Sequence, residues 1–156
     1  LTPKLTLSTG LRLTYFNLLG PYTEALYDEN FNFDKTQTYA AGESVVNYTY
    51  PEPRLGLNLK LGESSSLKAS YARMFQYIQN IYNTNTPLPT SRWKISDRYV
   101  LPQQNDTYGI GFYQDFESQG IEFSAETYYR NTTNNLTYKP GANFFLCQQR
   151  AICVVE

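Results

Sequence analysis

The chain has 156 residues and a formal net charge of −1, and it contains no histidine. The charge is nearly balanced and no block of Lys or Arg occurs, which argues against a nucleic-acid partner. The lack of histidine excludes Ser-His-Asp and Cys-His nucleophiles and His-ligated metals within this segment. Fifteen Tyr and nine Phe, beside many Asn, Thr and Ser, favour strands over helices. We therefore expect an all-β chain that is not an enzyme and holds no metal or cofactor.

The first two predicted strands cover about residues 5–16 and 54–61. Both alternate apolar and polar residues with the period of two that is typical of a strand with two different faces. The apolar side of the first strand carries Leu5, Leu7, Leu11, Leu13 and Tyr15. In the second strand Leu55, Leu57, Leu59 and Leu61 oppose Arg54, Gly56, Asn58 and Lys60.

Three further strands follow over about residues 67–78, 108–116 and 121–130, with the same alternation. The third carries Leu67, Ala69, Tyr71, Phe75 and Tyr77 on its apolar side. The fourth carries Tyr108, Ile110, Phe112 and Phe116, and the fifth carries Ile121, Phe123, Ala125 and Tyr129. Each of the five strands thus has one apolar face and one polar face.

The connections between these strands alternate strictly between short and long. Residues 62–66 and 117–120 read as tight turns rich in Gly and Ser, whereas residues 17–50 and 79–106 read as long irregular loops. Two structureless loops of that length are rare in a compact soluble domain. Short turns at one rim and long loops at the other are typical of a transmembrane β-barrel.

Strand length and aromatic placement agree with a membrane. About ten tilted residues with a rise of about 3.3 Å cross an apolar band of about 25 Å. Aromatic residues then fall where two interfacial girdles are expected. The predicted outer girdle comprises Tyr15, Phe75, Tyr77, Tyr108 and Tyr129, and the predicted inner girdle comprises Phe112, Phe116 and Phe123.

Two other interpretations stay open on the strand pattern alone. A secreted β-sandwich carbohydrate-binding module also has alternating strands, because its apolar faces are buried on a second sheet. A glycoside-cleaving enzyme is a weaker alternative, since Glu122 and Glu126 share a strand face.

Longer phrases carry a resemblance to a known family. The runs "PRLGLNLKLGESSSLKASYARMFQYIQNI", "LPTSRWKISDRYVLPQQNDTYGIGFYQDF" and "FSAETYYRNTTNNLTYKPGANF" resemble the C-terminal half of the barrel in TonB-dependent outer-membrane receptors. "GLRLTYFN" fits an earlier strand of such a barrel. The resemblance covers about residues 9–144 and implies an antiparallel up-and-down meander, with about five strands of a 22-stranded transmembrane barrel that is incomplete here.

The resemblance also implies a function. Such receptors lie in the outer membrane of Gram-negative bacteria and import scarce nutrients such as iron chelates, cobalamin or oligosaccharides with energy supplied by TonB. The implied partners are outer-membrane lipid, a plug domain of the same full-length chain, the TonB complex and, in the glycan-importing branch, a surface lipoprotein. We expect residues 1–143 to be part of this barrel and the chain to be a fragment. Residues 144–156, with Cys147 and Cys153, depart from the pattern, and we carry no function onto this tail.

The charged residues on the polar faces are candidates for contact with the plug or the permeating ligand. The predicted lumen-facing residues are Arg54, Lys60, Lys68, Glu122, Glu126 and Arg130. Arg73 instead falls on the apolar face, where an arginine near the bilayer middle costs roughly 2–4 kcal/mol. Either Arg73 lies high enough to reach lipid head groups, or a bulge near Met74 changes the phase of the strand.

The second long loop holds the only tryptophan, Trp93, between two cations. Aromatic rings beside cations suit sugar faces, catecholate rings or anionic chelates, because they offer stacking and charge together. The predicted ligand-binding residues are Tyr82, Arg92, Trp93, Arg98 and Tyr99. The first long loop is also aromatic, and its carboxylates lack the spacing of a calcium-binding loop.

Overall fold

The computed structural model describes residues 4–30, 32–81, 92–116, 120–138 and 154–155. The strands within them are β1 (Leu5–Leu19), β2 (Tyr22–Tyr27), β3 (Phe33–Tyr39), β4 (Ser44–Lys60), β5 (Ser65–Gln76), β6 (Ile78–Ile81), β7 (Arg92–Ile95), β8 (Gln103–Phe116), β9 (Ile121–Thr133), β10 (Thr137–Tyr138) and β11 (Val154–Val155). Over these ranges no helix has the length and apolar character needed to span a membrane.

The main sheet has five strands in the order β1-β4-β5-β8-β9. Every neighbouring pair is antiparallel, so the chain runs up and down across the sheet. The pairs β2–β3 and β6–β7 are two-stranded hairpins inserted between strands of this sheet, and β10 pairs with β11. The predicted all-β meander is confirmed, and the open five-stranded sheet is consistent with part of a barrel.

The two ends of the sheet differ. At the turn end, residues 61–64 join β4 to β5, and Leu61 N donates to Ser65 O at 2.9 Å. At the loop end, β1 passes into the β2–β3 hairpin and β5 passes into the β6–β7 hairpin. The predicted alternation of short and long connections is therefore present at opposite ends of one sheet.

The apolar residues of the five strands lie side by side on one face of the sheet, the apolar face. One row across it joins Leu7, Leu57, Ala69 and Ile110 through the strand register. Leu7 is 46% exposed and Ile110 is 50% exposed. Within the described residues no second sheet covers this face, so the leucines are not buried as they would be in a β-sandwich.

The long loops differ from the prediction. Residues 17–50 are not irregular, because β1 and β4 remain paired from Leu5↔Leu59 up to Leu19↔Ser44, with one bulge at Leu18/Leu19. The hairpin β2–β3 then extends beyond this ladder. Residues 79–106 contain the β6–β7 pair and the first residues of β8. These strands are polar and rich in Thr and Tyr. They lack the alternation of apolar residues by which strands are predicted from sequence.

Arg73, on the apolar face, has a charged partner that the sequence did not suggest. The β5–β8 register runs without a shift through Arg73↔Asp106, so the predicted bulge near Met74 is wrong for this pair of strands. Arg73 Nε lies 2.8 Å from Asp106 Oδ1, and the Tyr71 hydroxyl donates to the same oxygen at 2.8 Å. A carboxylate directly across the ladder thus neutralises the arginine on the apolar face.

Phe75 and Tyr77, which were predicted in the outer aromatic girdle, lie elsewhere. The β4–β5 ladder ends at Arg54↔Ala72, and beyond it Phe75 stacks on Tyr50 with ring centroids 4.2 Å apart. Tyr77 stacks on Phe16 at 4.8 Å. Both partners lie on the polar side of their strands by alternation, so Phe75 and Tyr77 turn away from the apolar face where the strands separate.

The buried side chains are concentrated toward the loop end. They include Glu24, Tyr39, Val45, Glu52, Gln79, Ile81, Ser96, Asp97, Val100 and Asp106. They lie in the hairpins, in the segment before β8, or in the loop-side parts of β4 and β8. A protein core of the ordinary kind is therefore formed at the loop end, and not on either face of the five-stranded sheet.

We predict that Gly20→Ala opens the base of the β2–β3 hairpin. A Cβ on Gly20 would lie 2.2 Å from the Ala40 carbonyl oxygen, and relieving that overlap costs roughly 2–3 kcal/mol. Limited proteolysis of the hairpin in the full chain should be accelerated. The control is Gly42→Ala, where φ is +82° but no atom lies within 4 Å of the new Cβ; it should cost only about 1 kcal/mol. Equal cleavage rates of the two variants would contradict the prediction.

Candidate ligand-binding site at the loop end

The segment between β7 and β8 packs against the β2–β3 hairpin and brings two distant parts of the chain together. Asp97, in this segment, is 4% exposed. Its Oδ1 accepts hydrogen bonds from the amides of Tyr99 and Val100, each at 3.0 Å. Its own amide donates to Val100 O at 3.1 Å. These local bonds fold residues 97–100 into a closed turn, as Asp side chains do at turn positions.

Asp97 also receives groups from other strands. The Tyr22 hydroxyl of β2 donates to Asp97 Oδ2 at 3.3 Å, and the Tyr48 hydroxyl of β4 donates to Asp97 O at 2.7 Å. Lys94 of β7 forms an ion pair with the same carboxylate. We call Asp97 and these three residues the Asp97 cluster, which ties β2, β4 and β7 to one turn.

Burial and the neighbouring Asp97 carboxylate raise the pKa of Tyr22 to about 12. Both effects disfavour a second negative charge beside the first. Tyr22 therefore keeps its proton, and remains a hydrogen-bond donor to Asp97, throughout the physiological range of pH.

A second ion pair lies beside the Asp97 cluster. Arg98 Nε is 3.5 Å from Oε2 of Glu24, which is 5% exposed. Arg98 Nη2 also donates to the Tyr39 hydroxyl at 3.3 Å. Neither carboxylate oxygen of Glu24 has a hydrogen-bond donor among the described residues. Arg98 is thus the positive charge that compensates a buried carboxylate on the hairpin.

All four ion pairs in the described part of the chain have the same asymmetry. The acids are Asp97, Glu24, Asp106 and Glu52, with side-chain exposures between 4% and 9%. The cations are Lys94, Arg98, Arg73 and Arg12, with exposures between 35% and 63%. Removing the partner of a fully buried charge costs roughly 3–5 kcal/mol. Each exposed cation is therefore held by a buried carboxylate.

Aromatic rings form a connected group on the outer side of the same region. Tyr27 of β2 packs edge-to-face on Phe33 of β3 at 6.5 Å and on Tyr99 at 5.8 Å. The Tyr27 amide donates to the Tyr99 hydroxyl at 3.1 Å. We call these three residues the ring cluster. Phe33 is 60% exposed and Tyr99 is 38% exposed, so the cluster offers apolar ring surface to a ligand.

The predicted ligand-binding residues are only partly brought together. Arg98 and Tyr99 lie on the turn of the Asp97 cluster. Trp93 is 69% exposed and pairs with Asn80 in the β6–β7 hairpin. It points to the side of β7 opposite Lys94, because successive side chains in a strand alternate. Arg92 is described only as the first residue of β7, and Tyr82 lies outside the described residues.

The predicted lumen-facing residues share the polar face of the sheet. One row joins Asn58, Lys68, Gly111 and Glu126. Lys68 Nζ lies 4.0 Å from the centroid of the Tyr113 ring, and the Tyr113 hydroxyl donates to Glu126. By the same registers Arg54 and Arg130 share the row of Ala72 and Thr107, Lys60 lies opposite Ser66, and Glu122 lies opposite Asp115.

A shallow hollow of about 500 Å³ lies on this polar face. Small residues form its floor, among them Ser8, Gly56, Ser70 and Gly109, which follow one another across the sheet. Lys68, Tyr113 and Glu126 also line it. The hollow is open, and its hydrogen-bonding groups stand among a mainly apolar lining.

The sequence did not identify Asp97 as the centre of this region. A signal existed, because an Asp followed by Arg, Tyr and Val ahead of Pro102 fits an Asp-initiated turn. The contacts of Asp97 with Tyr22 and Tyr48 span 75 and 49 residues of sequence, and only the folded chain reveals them. Among the described residues no group of three or more His, Cys, Asp or Glu side chains could hold a metal ion.

The family model described as "TonB dependent receptor-like, beta-barrel" matches residues 1–150 of the chain. No curated protein and no solved structure matches the chain.

We predict that Asp97→Ala releases the turn from the hairpin. The substitution removes the acceptor of two backbone amides and of the Tyr22 hydroxyl and leaves Lys94 unpaired, at a cost of roughly 3 kcal/mol. Amide hydrogen exchange at Tyr99 and Val100 in the full chain should accelerate by about a hundredfold. Asp34→Ala, which removes an exposed carboxylate from the same hairpin, is the control and should leave both amides protected. Unchanged protection in Asp97→Ala would show that the turn does not depend on this carboxylate.

Proposed function

The chain belongs to the TonB-dependent receptor β-barrel family, and on this basis we propose that it is the part of an outer-membrane receptor that captures a scarce nutrient at its extracellular loops. TonB-supplied energy then drives import of the nutrient. Members of the family are outer-membrane transporters of Gram-negative bacteria and not enzymes. The observation that carries the proposal is the five-stranded sheet, with an exposed apolar face and with its buried side chains gathered at the loop end.

The apolar face supports a position in the outer membrane. Its leucines and aromatic residues are exposed or half-buried across the sheet, and a soluble monomer does not normally leave so extended an apolar surface open. Tyr71, Tyr108 and Tyr129 adjoin one another across β5, β8 and β9, with ring centroids 5.0 and 6.4 Å apart. A band of tyrosines beside a leucine-rich surface suits the boundary between hydrocarbon and head groups.

The polar face then borders the lumen of the complete barrel. Lys68, Glu126 and the hollow beside them are available to the plug domain of the full-length chain or to the permeating ligand. We assign contact with the plug to Arg54, Lys60, Lys68, Glu122, Glu126 and Arg130 as a group, because all six share this face by register. The TonB complex acts through the plug side of the receptor. A surface lipoprotein is a further partner if the cargo is a glycan.

The loop end supplies the surface for capture. The ring cluster and Trp93 are exposed there, and the Asp97 cluster holds the two hairpins in fixed positions beneath them. A preformed aromatic surface loses little conformational entropy when a ligand binds. We therefore assign initial ligand contact to Tyr99 and Trp93. Tyr82, Arg92 and Arg98, which belong to the same long connection, remain predicted ligand-binding residues.

The proposed transport is tested by uptake in cells that produce the full-length receptor. The receptor should support growth on its nutrient at limiting concentration, and deletion of TonB should abolish uptake while surface binding persists. Trp93→Ala and Tyr99→Ala should reduce binding, whereas Tyr129→Ala, which removes an aromatic ring on the apolar face that is about as exposed as Trp93, should not. Uptake that persists without TonB would refute the proposal.

We predict that the two faces of β1 respond oppositely to a positive charge. Leu7→Arg places the charge in the leucine row of the apolar face, opposite Leu57 and so about four residues from the turn end. An arginine within the apolar band of the bilayer costs up to roughly 2–4 kcal/mol. Ser8→Arg places the charge opposite Gly56 on the polar face and should be nearly neutral. The measurement is the urea unfolding midpoint of the full-length receptor in lipid vesicles. Equal destabilisation by both substitutions would contradict a lipid-facing leucine row.

A further inference from the structure

We propose that the ligand of this receptor is uncharged and is recognised through flat ring faces, as in a neutral oligosaccharide, rather than through anionic groups. The inference rests on the proposed function, because it concerns the ligand captured at the loop end. It is drawn from how the charges and the rings are arranged there.

Two of the cations at the loop end, Lys94 and Arg98, are already engaged. Lys94 is paired with Asp97 and Arg98 with Glu24, and both carboxylates are buried. An anionic ligand that drew either cation away would leave a buried carboxylate without its counter-charge, which is strongly unfavourable. Lys94, which adjoins Trp93 in the sequence, and Arg98, a predicted ligand-binding residue, therefore serve the fold of the receptor.

The surrounding charge also disfavours an anion. Residues 17–50 carry five carboxylates and only one cation, Lys35. Glu24 is compensated by Arg98, but Glu29 and Asp34 are exposed. A surface with this excess of negative charge repels an anionic ligand as it approaches.

The groups left available for a ligand are rings. Phe33 and Trp93 are more than half exposed, and Tyr99 is partly exposed. Tyr27 joins Phe33 to Tyr99 through edge-to-face contacts, so the ring cluster spans the hairpin and the turn before β8. Aromatic surface with few uncommitted charges suits the apolar faces of sugar rings, while hydroxyl and amide groups nearby fix orientation.

The test measures binding to the purified full-length receptor by titration calorimetry. The probes are maltohexaose and xylohexaose as neutral ligands, and the trianionic ferric tris-catecholate complex as the anionic ligand. We expect at least one hexaose to bind with an affinity that is unchanged between low and high salt. Phe33→Ala should weaken that binding about tenfold, and the catecholate complex should not bind.

A matched pair of variants tests the engagement of Arg98 directly. Glu24→Gln removes the buried carboxylate and leaves the Arg98 guanidinium without its counter-charge, so this variant should acquire measurable binding of the catecholate complex. Glu29→Gln removes the same charge from an exposed position of the hairpin and, like the wild-type receptor, should show no such binding. Equal gains in the two variants would show that only net charge matters and that Arg98 is not held by Glu24.

Other outcomes separate the ligand class from the receptor function. If the wild-type receptor binds the catecholate complex, with an affinity that falls with salt and is lost in Arg98→Gln, the neutral ligand class is overturned while capture at the loop end stands. Failure of both hexaoses to bind the wild-type receptor also overturns the ligand class. If uptake by cells is indifferent to TonB, the proposed function itself fails, whatever the calorimetry shows.

Discussion

The rest of the structure depends on one constraint: neither face of the five-stranded sheet is covered by protein within the described part of the chain. A sheet that cannot bury its apolar face against a second layer of its own chain must place that face against another apolar medium. In a member of the TonB-dependent receptor family that medium is the outer membrane. The backbone groups of the strands are satisfied by the ladders, so long β-strands can cross lipid once the barrel is closed.

The same constraint moves the ordinary protein core to the loop end. There the strands leave the lipid, the hairpins β2–β3 and β6–β7 extend from the sheet, and water returns as the solvent. Burial of side chains away from water then becomes favourable, and the buried side chains surround Asp97, Glu24 and their counter-ions. Polar groups hold this region together because each buried carboxylate receives a cation or hydrogen-bond donors from a different strand. The charges at the loop end therefore have a structural use.

The five crossing strands were predictable from the sequence because their alternation is imposed by two unlike environments. A residue that faces lipid must be apolar and its neighbour that faces the lumen is free to be polar, so leucines recur with a period of two from Leu55 to Leu61. The hairpins above the membrane were predicted as irregular loops. In β3 and β7 solvent and protein surround both faces, so no single period marks them. The pairing of Arg73 with Asp106 was missed for a related reason, since the beginning of β8 had been read as loop.

By itself the sequence determined the fold class, the five crossing strands, the alternation of short and long connections and the resemblance to the receptor family. These follow from local periodicity and from phrases of neighbouring residues. Only the tertiary structure decided which charged side chains form ion pairs with one another. Arg98 and Glu24 are 74 residues apart in the chain, and the contact between them depends on the hairpin folding back over the turn before β8. Sequence spacing cannot reveal such a pairing, because loop closure brings residues together according to the three-dimensional path of the chain.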